Sequence, residues 1–257
     1  MRVLILGGTT EASELAQLLA GDNRFQPTLS LAGRTTSPKP QPIPTRIGGF
    51  GGIAGLEAWL RDNDIAAVVD ATHPYAAQIS AHAVAACQTL SLPLASIVRP
   101  PWMRADDDRW IDVDTAQAAA AALGAEPARV FLSLGRLELA AFSAAPQHHY
   151  IARTIDAAGD VPLPPDISFV YDRGPFDEAK EETFLRRERI QAIVSKNSGG
   201  PATYPKIAAA CRLQIPVAMI ARPDKPRGVP LDGARDALRW LEGLSAHDVG
   251  SISRRGV

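Results

Sequence analysis

The chain has 257 residues, enough for one large or two smaller domains with a substantial core. Hydrophobic content of 46% and charged content of 21% are those of a globular protein, and a net charge of -1 excludes an overall nucleic-acid or membrane-surface footprint. That balance leaves room for a local basic pocket.

The first element is the apolar run Val3-Leu4-Ile5-Leu6, which ends in Gly7-Gly8-Thr9-Thr10-Glu11 as a helical pattern begins (Leu15, Leu18 and Leu19 on one face). A buried strand that feeds a tight turn and a helix N-terminus offers free N–H groups and a favourable dipole to an anion, so a phosphate-bearing cofactor is expected. The spacing departs from Gly-x-Gly-x-x-Gly, and an ordinary strand-to-helix turn has the same residues. The second strand, near 28–32, ends in Gly33-Arg34-Thr35-Thr36. Dinucleotide folds carry an acid here for a ribose hydroxyl or an arginine for a 2′-phosphate. With no acid present, Arg34 favours NADP(H) over NAD(H), the other reading being a solvated surface arginine.

Alternating prolines at Pro38, Pro40, Pro42 and Pro44 predict an extended loop. The cluster Gly48-Gly49-Phe50-Gly51-Gly52 suits either a second cofactor loop or a flexible turn. Strands are expected near 66–70, 94–98, 129–133, 150–154, 191–195 and 216–220, with a short one at 168–171. Helices are expected near 11–20, 53–62, 75–90, 115–123, 177–188, 202–213 and 231–243. Alternation of this kind means parallel sheets covered on both faces. The stretch from Arg99-Pro100-Pro101-Trp102 to Asp108 breaks it midway and reads as the crossing between two α/β lobes.

The expected domains are therefore 1–112 and 113–244, with 245–257 a polar, flexible tail. Cys87 and Cys211 have apolar neighbours and no zinc spacing, so core roles are expected, with no metal site and no disulfide. A chain that opens in a strand, without a cleavable leader pattern or an apolar run of transmembrane length, is expected to work in the cytoplasm.

Ligands of open parallel sheets lie beyond the carboxyl ends of the strands, so the residues there are the candidates. Strand 66–70 opens into Asp70-Ala71-Thr72-His73-Pro74-Tyr75-Ala76, with Pro74 expected as the first helical residue. Capping of the helix is the plain alternative for Thr72 or His73. Strand 191–195 opens into Lys196-Asn197-Ser198-Gly199-Gly200-Pro201, a small-anion site by helix-end physics or simply a capped turn. Arg99, Arg104, Arg109, Arg153, Arg222, Lys225 and Arg227 would make the cleft cationic and suited to a polycarboxylate, unless solvent or nearby aspartates engage them. No Tyr-x-x-x-Lys pair follows any tyrosine, which excludes short-chain dehydrogenase chemistry, and no P-loop lysine follows the first glycines.

These motifs together resemble the precorrin-6A reductases of corrin-ring (vitamin B12) biosynthesis. The resemblance is carried by Ile5-Leu6-Gly7-Gly8-Thr9-Thr10-Glu11-Ala12, Ala32-Gly33-Arg34, Asp70-Ala71-Thr72-His73-Pro74-Tyr75-Ala76, Arg99-Pro100 with Trp102, and Ser195-Lys196-Asn197-Ser198-Gly199. It implies two Rossmann-like lobes with an interlobe cleft, NADPH as hydride donor and a tetrapyrrole polycarboxylate as substrate, reduced from precorrin-6A to precorrin-6B. A metal-free and a cobalt-bearing substrate both remain open, as does a non-catalytic two-lobed small-ligand sensor. On this reading Gly7, Gly8, Thr9, Thr10 and Glu11 serve the pyrophosphate end of the cofactor, and Gly33, Arg34 and Thr35 the 2′-phosphate. Thr72, His73, Pro74 and Tyr75 line the nicotinamide side. Arg104, Lys196, Asn197, Ser198, Gly199 and Gly200 hold the substrate. His73, Tyr75 and Lys196 are the candidate proton donors, with water or the substrate's own carboxylates as alternatives. Handover to neighbouring cobalamin-pathway enzymes is the one protein partnership expected, with no nucleic acid and no membrane.

Overall fold

Strands β1 (Arg2–Leu6), β2 (Gln26–Leu31), β3 (Thr45–Ile47), β4 (Ala67–Asp70) and β5 (Leu94–Ile97) form a parallel sheet in the order β3-β2-β1-β4-β5 in the computed structural model. The structure describes residues 1–33 and 38–253. Helices α1 (Thr10–Leu19), α2 (Gly52–Asp62) and α3 (Ala77–Leu90) link these strands. Four consecutive core residues in β1, Val3, Leu4, Ile5 and Leu6, are buried on both faces, as a central parallel strand requires. Leu15, Ala16 and Leu19 of α1 pack on one face with Val3 and Ile5, while Leu56 and Leu60 of α2 pack on the other with Leu4 and Leu6.

A second all-parallel sheet repeats the plan. Strands β7 (Arg129–Ser133), β8 (His149–Thr154), β9 (Ile167–Tyr171), β10 (Ala192–Lys196) and β11 (Val217–Ile220) run in the order β9-β8-β7-β10-β11. Helices α4 (Ala116–Ala122), α5 (Glu178–Arg187) and α6 (Pro205–Arg212) belong with it, as does a 3-10 segment at Arg136–Ala144. Its core centres on Phe131, Ile151, Ile193, Val217 and Met219.

One outer strand of each sheet comes from an unexpected part of the chain. Strand β6 (Trp110–Val113) pairs with β11, and β12 (Val229–Leu231) pairs with β5. Helix α7 (Ala234–Ser253) then covers the first sheet through Ala237 and Leu241. The units are therefore Met1–Arg99 with Pro223–Val257, and Pro100–Arg222. This corrects the expected boundary at 112/113 and the assignment of 223–244 to the second lobe. Burial of Leu231, Ala234, Ala237 and Leu241 against the first core returns that segment to the first sheet. The helix also continues past Ser245, where a tail was expected, because no proline interrupts it. Among the described residues no helix is long and apolar enough to cross a membrane.

Candidate functional site

In the first sheet the chain order reverses between β1 and β4, with β2 on one side and β5 on the other. Such a switch point opens a crevice at the carboxyl ends of the two strands. The β1 end supplies Gly7, whose N–H continues the ladder to the Ser30 carbonyl at 2.9 Å. A Cβ on Gly7 would meet Leu29 Cδ1 at 2.5 Å and Ala12 Cβ at 3.3 Å, so the glycine lets α1 sit close to β2. Gly8 has φ +117°, and beyond its chain neighbours no described atom lies within 4 Å of where its Cβ would be. Its backbone is therefore approachable. Thr9 caps α1, accepting from the Ala12 N–H at 3.2 Å, and its hydroxyl donates to the Ala71 carbonyl at 2.7 Å. One side chain thus ties the β1 loop to the β4 loop.

Glu11 lies in the first turn of α1, where its charge would oppose a phosphate. The Arg99 guanidinium meets both of its oxygens, with Nε to Oε1 at 2.8 Å and a second contact from Nη2 to Oε2. Burial alone would raise the Glu11 pKa, but the Arg99 bonds and charge, together with hydrogen bonds from the Glu11 backbone and Thr9, outweigh it and the net shift is downward. Arg99 is accordingly engaged by Glu11 rather than being an open cleft cation.

The β4 end is built round Asp70, which is 1% exposed. Its Oδ1 accepts from the Thr72 N–H at 3.0 Å and the Thr72 hydroxyl at 2.6 Å, and its Oδ2 accepts from the Ser80 hydroxyl at 2.6 Å. Lys225 completes the cluster, with Nζ 3.4 Å from Asp70 Oδ2 and donating to Thr72 Oγ1 at 2.9 Å. The Thr72 hydroxyl is thus engaged inside the fold.

His73, Pro74 and Tyr75 follow as a turn closed by the Ala76 N–H on the His73 carbonyl at 2.8 Å, and α3 begins only at Ala77. Pro74 is therefore the second residue of a turn, a position its fixed φ suits, and not the first of the helix. Nδ1 of His73 accepts from the Tyr75 N–H at 3.3 Å, which assigns the proton of the neutral ring to Nε2. Gly33 is left-handed at φ +73°, while Arg34 and Thr35 lie outside the described residues. In the glycine cluster, Arg46 donates to the carbonyls of Gly48 and Gly49 at 3.0 and 2.9 Å and stacks on Phe50 at 3.8 Å, giving the turn a definite shape.

The second sheet has its own switch point between β7 and β10. Lys196, at the end of β10, is paired with Glu138 of the 3-10 segment, whose Oε2 also accepts from the Gly135 N–H at 3.0 Å. Asn197 turns both ends of its amide to the backbone of Trp102, accepting from its N–H at 2.8 Å and donating to its carbonyl at 3.0 Å. The Trp102 indole N–H reaches the Gly200 carbonyl at 2.9 Å. Ser198 closes a tight turn onto the Lys196 carbonyl at 2.8 Å, and Gly199 and Gly200 are both left-handed in φ. A cleft of about 360 Å³ lies alongside, lined by Trp102, Met103, Glu178, Gly200, Pro201 and Tyr204. Arg104 is exposed on the segment after Met103.

One expected cleft cation is corrected outright. Arg153 is buried in a pair with Glu181 at 2.8 Å, and its guanidinium lies over Phe131, Phe176 and Phe184. Lys206, buried beside this pair and over the Trp102 ring, bonds to the Thr203 carbonyl at 2.8 Å. Burial drives its pKa down to about 7. Burial also pushes the Cys87 thiol up to about 12, away from nucleophilic chemistry.

Sequence reasoning missed Glu138 and the placement of Lys225. Glu138 stands three residues after Gly135, a capping-type spacing that could have been read. Nothing local links Lys225 to Thr72, 153 residues away.

A family model described as precorrin-6x reductase CbiJ/CobK matches residues 2–242. A precorrin-6A reductase from Sinorhizobium sp is 51% identical over 235 residues, covering 91% of this chain and 90% of that protein. A cobalt-precorrin-6A reductase from Salmonella typhimurium is 28% identical over 234 residues, covering 86% of this chain and 87% of that protein. A solved structure titled CobK precorrin-6A reductase superposes with a TM-score of 0.88 at 48% identity, covering 95% of this chain and 96% of that one. With its two parallel sheets and their switch-point loops, the chain belongs to the precorrin-6x reductase CbiJ/CobK family.

Proposed function

We propose that this protein is an NADPH-dependent precorrin-6A reductase, adding one hydride and one proton across a double bond of the macrocycle to give precorrin-6B in cobalamin biosynthesis. The observation that carries the reading is the Thr9–Ala71 bond at the first switch point, in a chain of this family. It holds an approachable, positively polarised helix end beside the His73 turn. A bound dinucleotide supplies the hydride. Gly8 and Thr9 would receive its pyrophosphate through backbone N–H groups, with Thr10 beside them, while Gly7, whose N–H is spent on the Ser30 carbonyl, would serve by letting the helix approach closely. Glu11, already neutralised by Arg99, keeps the helix end free of uncompensated negative charge. Gly33 and Arg34 follow β2 and would meet the 2′-phosphate through a guanidinium fork, with Thr35 as a further donor.

His73 and Tyr75, with a ring separation of 5.5 Å, and Lys196 are the candidate donors of the proton. Lys196 would bind a substrate carboxylate in competition with Glu138. Arg104, Ser198, Gly199 and Gly200 would add contacts around it, and Asn197 would act by fixing Trp102. The greater identity to the Sinorhizobium relative, 51% against 28% for the cobalt-precorrin enzyme, favours a metal-free substrate. Work in the cytoplasm and handover to neighbouring pathway enzymes belong to the same proposal.

The test is an anaerobic assay of dihydronicotinamide absorbance with NADPH and precorrin-6A, run beside cobalt-precorrin-6A. Turnover of the metal-free substrate is expected. Binding of both ligands without turnover would instead indicate a sensor, and faster turnover of the cobalt form would reverse the choice of substrate.

A further inference from the structure

We infer that Lys225 is a positioning residue for the nucleotide site, fixing the Ala71-Thr72-His73 loop from the segment that returns to the first sheet. This rests on the dinucleotide reading above. Three observations support it. First, Lys225 grips Thr72 at two points, its Nζ donating to the hydroxyl at 2.9 Å and to the carbonyl at 3.3 Å. The carbonyl one residue earlier, on Ala71, is already held by Thr9 at 2.7 Å. Successive peptide carbonyls of the β4 loop are therefore fastened from two directions, immediately before His73.

Second, the lysine projects from a braced segment. Pro223 and Pro226 flank it closely in sequence, and three residues on the Gly228 N–H bonds to Ser96 Oγ at 3.1 Å. A Cβ on Gly228 would lie 2.1 Å from the Leu94 carbonyl oxygen, so this backbone runs hard against β5. An anchor with so little slack transmits a defined position to Thr72.

Third, Lys225 compensates a buried carboxylate at a site meant for an anionic ligand. Asp70 already accepts from Thr72 and Ser80, and Lys225 supplies the opposite charge 3.4 Å from Oδ2. Arg99 does the same for Glu11 at the other loop of the switch point. Both acids next to the nucleotide loops are thus neutralised, one by each end of the first unit's chain crossings at Arg99 and Pro223.

The test compares wild type, Lys225→Met and the charge-neutral pair Asp70→Asn/Lys225→Met by NADPH titration, thermal melting and steady-state kinetics. In Lys225→Met the dissociation constant for NADPH should rise about tenfold or more, the loss expected for a charged hydrogen-bond donor. The Michaelis constant for precorrin-6A should stay within about twofold. The paired variant should recover the melting temperature but not the affinity, because Thr72 still lacks its donor. It also keeps the test intact if the single variant does not fold. Unchanged NADPH affinity in Lys225→Met, or affinity restored in the paired variant, would overturn the positioning role. Absence of NADPH binding by wild type would instead strike the dinucleotide reading itself.

Discussion

Asn197 and Trp102, 95 residues apart, pair as two strands would, with the side-chain amide taking one backbone N–H and one carbonyl at 2.8 and 3.0 Å. The arrangement fixes the indole whose N–H then holds Gly200. An asparagine expected to touch substrate is thus committed to building the wall of a cleft. Asn197→Ala leaves two backbone groups without their partner, a loss of about 2 kcal/mol of stability. We expect a lower melting temperature and a raised Michaelis constant for the tetrapyrrole, with NADPH affinity unchanged. Equal losses for both ligands would show that Asn197 acts on more than the second unit.

Gly8 allows a separate test of the first unit. At φ +117° an alanine costs about 1–3 kcal/mol in backbone strain, yet beyond its chain neighbours its Cβ would meet no described atom within 4 Å. Gly8→Ala should therefore fold. Its methyl would stand where a phosphate approaches the backbone, so NADPH affinity should fall about tenfold. A folded Gly8→Ala enzyme with wild-type NADPH affinity in calorimetry would remove this turn from the site.

The two cases mark what the sequence makes legible. The β1–Gly7-Gly8-Thr9–α1 unit is contiguous, and its apolar run, turn and N-cap each signal locally. Strands β3, β6 and β12 do not signal. They are three or four residues long, include Arg46, Asp112 and Pro230, and lie at or next to sheet edges where burial imposes little pattern. The return of β12 to β5 depends on packing between segments distant in sequence, with Val229 beside Ala95. The same holds for the site. The loop residues at strand ends were recognisable, whereas the partners that hold them, Glu138 for Lys196 and Lys225 for Thr72, come from tertiary structure. Arg153 was misjudged because a charge buried among three phenylalanines and paired with Glu181 looks, in sequence, like any other arginine.

Arg34 tests cofactor choice. If its guanidinium meets the 2′-phosphate, Arg34→Ala removes a charge-assisted contact worth about 1.5–3 kcal/mol for NADPH and nothing comparable for NADH. The ratio of the two affinities, measured by fluorescence titration, should collapse towards one. Parallel weakening of both nucleotides would assign Arg34 to the fold or to a shared phosphate.

Lys206 makes stability depend on pH in a direction opposite to that of a lysine whose pKa is raised by an acidic partner. In the fold its proton is released near pH 7, whereas an unfolded chain keeps it to about 10.5. Between those limits the unfolded state holds more protons, so this group's contribution to stability rises with pH. Below about 7 both states are protonated and the burial cost is fully present. Lys206→Met removes that cost, and Glu181 keeps Arg153 as its partner at 2.8 Å. Relative to wild type, the variant should therefore gain more at about pH 6 than at about pH 9, by on the order of 2 kcal/mol. Urea denaturation of both proteins at the two pH values measures it. A difference independent of pH would mean that the ammonium stays charged in the fold, stabilised by Glu181 and the Thr203 carbonyl.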